Sequence, residues 1–243
     1  MTKLIYLGLA ALLSSFNLQA AVSLSGTRLI FDGRYPEASL EVANRSDREV
    51  LIQAWLSAPA NTDGDLEEAA AELPFVLSPQ LARLDARGKQ TLRVLYQGQG
   101  MPLNEESLLH VYVLEIPRRT EVTNALNIAI RQRINLFYRP AGLTEDPAAT
   151  AYRLRWTLAS TSLRVSNPTS YHAALQDVRL GGVAAKDYLL LAPGASHEMA
   201  VPAAGAIRSL SFKALNDYGG ADAYCAAGKS DGFDNTEHRQ KDC

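Results

Sequence analysis

The chain has 243 residues, 47% apolar and 21% charged, with a formal net charge of −2. That is enough apolar matter for packed cores and too much for a disordered chain, and the length suits two domains. A near-neutral balance speaks against the basic surface that nucleic acid or an anionic membrane would favour.

The first twenty residues differ from the rest. Lys3 supplies a positive start, residues 4–13 form an apolar run, and Leu18-Gln19-Ala20 ends a more polar stretch with a small residue at the cleavage position. That pattern predicts a secretory signal peptide over residues 1–20. The apolar run of about ten residues is too short for a bilayer anchor, which needs about 20. The mature chain then starts at Ala21 or Val22.

From there the pattern is that of strands. Residues 22–25 alternate, 28–31 run into the turn signal Asp32-Gly33, and 38–42 alternate again up to Asn44-Arg45-Ser46-Asp47. Strands are expected at 50–56, 92–96, 109–116 and 126–138. Residues 66–73, with Glu67, Glu68, Ala69 to Ala71 and Glu72, break the pattern and favour a short helical or mobile loop. Pro140, in Arg139-Pro140-Ala141-Gly142, suits the exit from a strand and closes a first sandwich. A second set follows at 152–158, 162–165, 173–180, 188–191, 198–201, 209–215 and near Tyr224. Short strands with turn residues between them predict two tandem seven-stranded sandwiches, residues 21–140 and 141–243.

Only two cysteines are present, Cys225 and Cys243. In an oxidising compartment such a pair closes a local disulfide; the other reading is two thiols on a frayed tail. The sequence offers no catalytic set. Gly228-Lys229-Ser230-Asp231-Gly232 matches a nucleophile elbow but lies in a polar tail rather than between a buried strand and a helix. His110, His172, His197 and His238 have no metal-ligand spacing, and Gly98-Gln99-Gly100 lacks the rest of a phosphate loop. Neither catalysis, nor a metal, nor a cofactor is expected.

Several stretches in order resemble the PapD-like family of periplasmic pilus chaperones. They are Gly26-Thr27-Arg28-Leu29-Ile30-Phe31-Asp32-Gly33, Gln53-Ala54-Trp55, Glu106-Ser107, Leu114-Glu115-Ile116-Pro117-Arg118 and Ile134-Asn135-Leu136-Phe137-Tyr138-Arg139-Pro140. In the second half come Leu163-Arg164-Val165-Ser166-Asn167-Pro168-Thr169 and Asn216-Asp217-Tyr218-Gly219-Gly220. The resemblance implies a boomerang of two immunoglobulin-like domains with a cleft between them. It implies pilus subunits and an outer-membrane usher as partners, self-association of the unoccupied chaperone, and a periplasmic location.

The family lends an edge strand to a subunit that lacks its last strand. Leu126, Ile128 and Ile130 have the required spacing. Pattern alone would let them pack the chain's own core; the resemblance makes them donor residues. The eight or so residues after Pro117 place the chain with the short-loop chaperones of rod-like pili. Arg28 aligns with a cleft arginine that holds the subunit's terminal carboxylate. Asn135 stands where the family has a lysine, so Arg133, on the same side of the strand, or Arg131 is a candidate second cation. Glu106, Arg139 and Asp217 align with an inter-domain ion network. Leu51, Gln53, Pro79, Leu81, Arg93 and Ile116 align with the usher-facing surface, with Gln80 replacing a usual proline. The rival reading is a pilus subunit or adhesin, which would be a single domain lacking a strand.

Overall fold

The computed structural model describes residues 21–59, 73–118, 127–201, 209–228 and 232–234. The first half is a two-sheet sandwich. Its four-stranded sheet has the order β1 (Val22–Leu24), β3 (Glu37–Asn44), β7 (Lys89–Tyr96), β5 (Phe75–Ser78). Its five-stranded sheet has the order β2 (Arg28–Asp32), β9 (Ile130–Arg139), β8 (Ser107–Pro117), β4 (Val50–Ser57), β6 (Leu81–Leu84). Nine segments replace the seven strands expected because the chain switches sheets twice. One switch falls between β1 and β2, beside Gly26, and the other between β5 and β6 at the cis Ser78–Pro79 bond. Proline cannot donate to a ladder, so a strand is interrupted there.

Alternation builds the core. Leu29 and Phe31 of β2, Val50, Ile52 and Ala54 of β4, Leu109, Val111 and Val113 of β8, and Ile134, Leu136 and Tyr138 of β9 all point inward. Phe31, Phe75, Tyr96 and Tyr138 form an aromatic cluster with ring centroids 4.8–6.4 Å apart.

The second half is one hydrogen-bonded sheet of eight strands. Its order is β13 (Val183–Leu191), β12 (Ala173–Leu180), β15 (Ser209–Leu215), β16 (Ala221–Gly228), β17 (Gly232–Asp234), β10 (Arg155–Leu158), β11 (Ser162–Ser166), β14 (Ser196–Ala200). The short β17 bonds to both β16 and β10 and so joins two layers around a core of Trp156, Leu163, Leu175, Leu210 and Phe212. The strand expected over 152–158 starts later, at Arg155. Asp146 accepts from Ala148 N and Pro147 opens a 3-10 turn, which leads into a helical turn over Thr150–Arg153.

One device recurs in both halves. Asn44 Oδ1 accepts from the N–H and hydroxyl of Ser46 while Nδ2 donates to Arg48 O and Asp85 O. Asn167 does the same with Thr169, Tyr171 O and Ala192 O. Both asparagines are buried, and each satisfies its own turn.

Residues 66–72, Leu126 and Cys243 lie outside the described residues. Among those described, no helix is long and apolar enough to cross a membrane.

Candidate functional site

Three features of β9 position the site. Its second half, Asn135–Arg139, lies between β8 and the parallel strand β2. Its first half, Ile130–Ile134, pairs with β8 alone, so one backbone edge there carries no strand partner among the described residues. The strand begins at Ile130, a correction to the reading of a continuous strand from Leu126. Glu115 pairs with Ile130, and the next positions on β8 run into Pro117, which has no N–H to extend the ladder over 127–129. Ile128 is 53% exposed and Ile130 half-buried.

The outward face of the five-stranded sheet presents its residues in rows. Leu81, Gln53, Leu114 and Arg131 form one, and Arg83, Leu51 and Ile116 another. Leu51, Gln53, Leu81 and Ile116 therefore form one continuous surface, with Leu81 59% exposed. Pro79 lies at the corner between β5 and β6. Arg93 belongs to the other sheet, opposite Ser78 at that corner, where it pairs with Glu37. Higher on the face, Trp55 stacks on Tyr112, and Arg131 lies over the Tyr112 ring.

At the top of β9 the two halves of the chain meet around a cleft of about 580 Å³, lined by Arg28, Phe137, Arg139, His172, Asp217 and Tyr218 among others. Glu106, Arg139 and Asp217 come together. Arg139 Nε donates to Glu106 Oε2 at 2.6 Å, and its two terminal nitrogens fork onto the Asp217 carboxylate at 2.6 and 2.7 Å. Burial by itself would lower the Arg139 pKa; the hydrogen bond to Asp217 and the charge of Glu106 outweigh it and raise it.

Glu106 carries more than sequence reading assigned it. Its second oxygen accepts from His172 N at 2.9 Å and lies 3.0 Å from His172 Nδ1, while its own N–H donates to Ser170 O. The histidine spacing in the sequence gives no sign of this role, because the partner of His172 is 66 residues away; the one local signal is its position directly before the strand that starts at Ala173. Gly219, at φ +82°, brings the Asn216–Gly220 turn against Thr27, where a Cβ would lie 2.5 Å from the hydroxyl.

Arg28 lies beside Asn135 across the parallel pair, and its guanidinium sits 5.6 Å from the Phe137 ring. One terminal nitrogen reaches Leu215 O at 3.4 Å, and Nε is enclosed with no partner. Burial lowers its pKa, with partial compensation from Tyr188, Asp217 and Glu106; a guanidinium stays charged regardless. Among the described residues no carboxylate forms an ion pair with it. Arg133 is exposed, one row from Asn135 on the same face. Cys225, on β16, is disulfide-bonded.

Comparison with known proteins agrees with this geometry. The model for the pili and flagellar-assembly chaperone, PapD N-terminal domain, matches residues 21–144, and that for the pili assembly chaperone PapD C-terminal domain matches residues 149–226. The chain is 36% identical over 233 residues to the chaperone protein FimB/FhaD of Bordetella pertussis, covering 90% of this chain and 93% of the relative. It is 34% identical over 223 residues to the probable fimbrial chaperone LpfB of Escherichia coli O157:H7, with the same coverage. The crystal structure of the Pseudomonas aeruginosa CupB2 chaperone superimposes with a TM-score of 0.73 at 30% identity, covering 85% of this chain and all of that one. The SafB chaperone of Salmonella enterica, solved with the SafA pilin, also gives 0.73, at 26% identity over 86% of this chain and 97% of that one. These are families of chaperones and not an enzyme class. With both domains matched in order and nearly the full length of the relatives covered, the chain belongs to the PapD-like family of pilus-assembly chaperones.

Proposed function

We propose that this chain holds pilus subunits in the periplasm by lending them the open half of β9, with Arg28 gripping the subunit's terminal carboxylate, and passes them to an outer-membrane usher. The observation that carries the reading is one juxtaposition. A strand half whose one strand partner among the described residues is β8, Ile130–Ile134, runs directly into the position beside a half-buried Arg28 that has no anionic partner among the described residues. A subunit strand added to that edge gains backbone hydrogen bonds from β9, and Ile128 and Ile130, with Leu126 before them, supply apolar side chains at every second position. Where the added strand passes Asn135 it meets Arg28, a cation suited to a terminal carboxylate.

Export is part of the same reading. The family match begins at residue 21, directly after the segment read as a signal peptide. The surface of Leu51, Gln53, Leu81 and Ile116 lies on the same sheet as the donor edge, so an usher could bind there while a subunit occupies β9. The Cys225–Cys243 pairing belongs to this proposal as a staple on the second domain, and so does the domain division at residues 140 and 141.

The test is complementation in the native host. A strain lacking the gene should lose surface pili by electron microscopy and lose subunits from its periplasmic extract. Wild-type protein should restore both. Ile128→Asp, at an exposed position where a charge leaves the fold intact, should restore neither. Normal piliation with Ile128→Asp would remove the donor role.

A further inference from the structure

Alternation along the two central strands of the five-stranded sheet sends Leu109, Val111 and Val113 of β8 and Ile134, Leu136 and Tyr138 of β9 into the sandwich core. The next inward position on each strand is polar: Glu115 follows Val113, and Gln132 precedes Ile134. The two are diagonal neighbours, since Val113 pairs with Gln132 and Glu115 with Ile130. Both reach across to one residue of the other sheet. Glu115 Oε2 accepts from Val22 N at 3.0 Å, and Gln132 Nε2 donates to Val22 O at 2.9 Å. Val22 is buried, Ala21 packs against the same core, and Ala21 O accepts from Arg45 N.

Glu115 is 4% exposed, and among the described residues no lysine, arginine or histidine forms an ion pair with it. A glutamate is almost never this buried without a partner, because a carboxylate taken out of water needs a compensating charge. One backbone N–H supplies none. The cation that fits lies in the chain itself. Residues 18–20 read as the end of a signal peptide. Hydrolysis after Ala20 adds water across the peptide bond and leaves a carboxylate on Ala20 and an ammonium on Ala21 at neutral pH. That ammonium is one peptide unit from the nitrogen that Glu115 already holds. Cutting one bond later puts the charge on that nitrogen itself.

We infer that Glu115 and Gln132 are the receptor for the mature chain's own N-terminal ammonium, so that removal of the leader completes a buried ion pair between the two sheets of the first domain. Gln132 lies in the half of β9 whose one strand partner among the described residues is β8, so the docked terminus braces that half from the core side. Before cleavage the carboxylate lacks its cation, and the precursor's sandwich is the less stable form. This inference rests on the reading of residues 1–20 as a cleaved signal peptide.

The experiment uses protein purified from the periplasm. The mass of its N-terminal peptide identifies the first residue, expected to be Ala21 or Val22. A comparison form carries Gly-Ser directly after the cleavage point, which keeps the terminal charge but moves it two residues away. Urea unfolding of both forms, each with and without Glu115→Gln, makes a double-mutant cycle in which glutamine keeps an acceptor for Val22 N. The insertion should raise the unfolding equilibrium constant on the order of tenfold with Glu115 present and leave it nearly unchanged with Glu115→Gln. A second measurement needs no substitution: a neutral acylating reagent should modify the terminal amine of folded wild-type protein several-fold more slowly than that of the inserted form. A start at Ala21 or Val22 with equal acylation rates, or with an insertion effect that Glu115→Gln does not remove, overturns the receptor and leaves the leader reading standing. A chain that starts elsewhere or keeps residues 1–20 overturns the leader reading, and the receptor with it.

Discussion

Replacing Arg139 with methionine should destabilise the protein more than its position on a cleft suggests. The Arg139 side chain is 17% exposed, Glu106 1% and Asp217 38%. Removing the cation leaves Glu106 buried, with only the backbone N–H and ring of His172 as partners. Stranding a buried charge in this way costs about 3–5 kcal/mol, against a typical total stability of about 5–15 kcal/mol. Asp217 adds little, because a carboxylate this exposed falls back on water and such pairs are worth about 0–1 kcal/mol. Adding Glu106→Gln removes the stranded charge and keeps an acceptor for His172 N, so the double variant should recover all but about 1–2 kcal/mol. Urea unfolding followed by tryptophan fluorescence is the assay. One tryptophan lies in each half, Trp55 in β4 and Trp156 in β10, so single Trp→Phe backgrounds report the halves separately. The two transitions should coincide in the parent and separate in Arg139→Met. A loss under about 1 kcal/mol, or a double variant no more stable than the single, would refute the view of Glu106 as a desolvated charge that depends on Arg139.

Two further outcomes are expected. Tyr138 is pushed up from 10.0 to about 12, first by burial and then by its hydrogen bond to Tyr96. The fold thus favours the neutral phenol: the stabilisation is fully present below pH 10 and is lost as pH rises through 12. The gap corresponds to roughly 2–3 kcal/mol, so Tyr138→Phe should flatten the stability curve over that window, and an unaltered slope counts against it. Mass spectrometry of unreduced protein should find the Cys225 and Cys243 peptides joined; both recovered as free thiols would exclude the proposed staple.

Much of this fold was legible because it rests on alternation. The strands through Leu29 and Phe31, Ile52 and Ala54, and Leu109 to Val113 put apolar residues at every second position, and the turns at Asn44 and Asn167 carry residues that bond their own backbone. What escaped reading depends on partners far away in sequence. β5 and β6 are four residues each, separated by Ser78–Pro79, too short and too interrupted to show a period. The strand expected to run through residues 127–129 begins only at Ile130, because its length is set by where β8 ends, which nothing in those residues reveals. In the site, Arg28, Arg139, Glu106 and Asp217 could be named through resemblance. His172 could not, since it acquires meaning only from a neighbour across the cleft.

An open strand edge is a hazard to the protein that carries it, because any other edge can pair with it. On the proposed reading, β9 has to take a subunit in preference to a second copy of itself, so that any self-association of the unoccupied chain gives way to the subunit. Its two faces differ in the way this requires. Along the open half, Ile130 and Ile134 turn to one side and Arg131 and Arg133 to the other. An incoming subunit strand meets the backbone edge and the apolar side, where a groove lacking a strand has most to gain. Two copies pairing through this edge would align the same short segment antiparallel and bring Arg131 and Arg133 of each close to those of the other, like charges on one face of a ladder. The arginines therefore weigh against the unwanted partner without obstructing the wanted one, provided the subunit strand offers no cation at the matching positions. This assigns the two exposed arginines a part in selectivity that is separate from any help they give to Arg28. It also accounts for an apolar residue as exposed as Ile128 persisting just ahead of that edge.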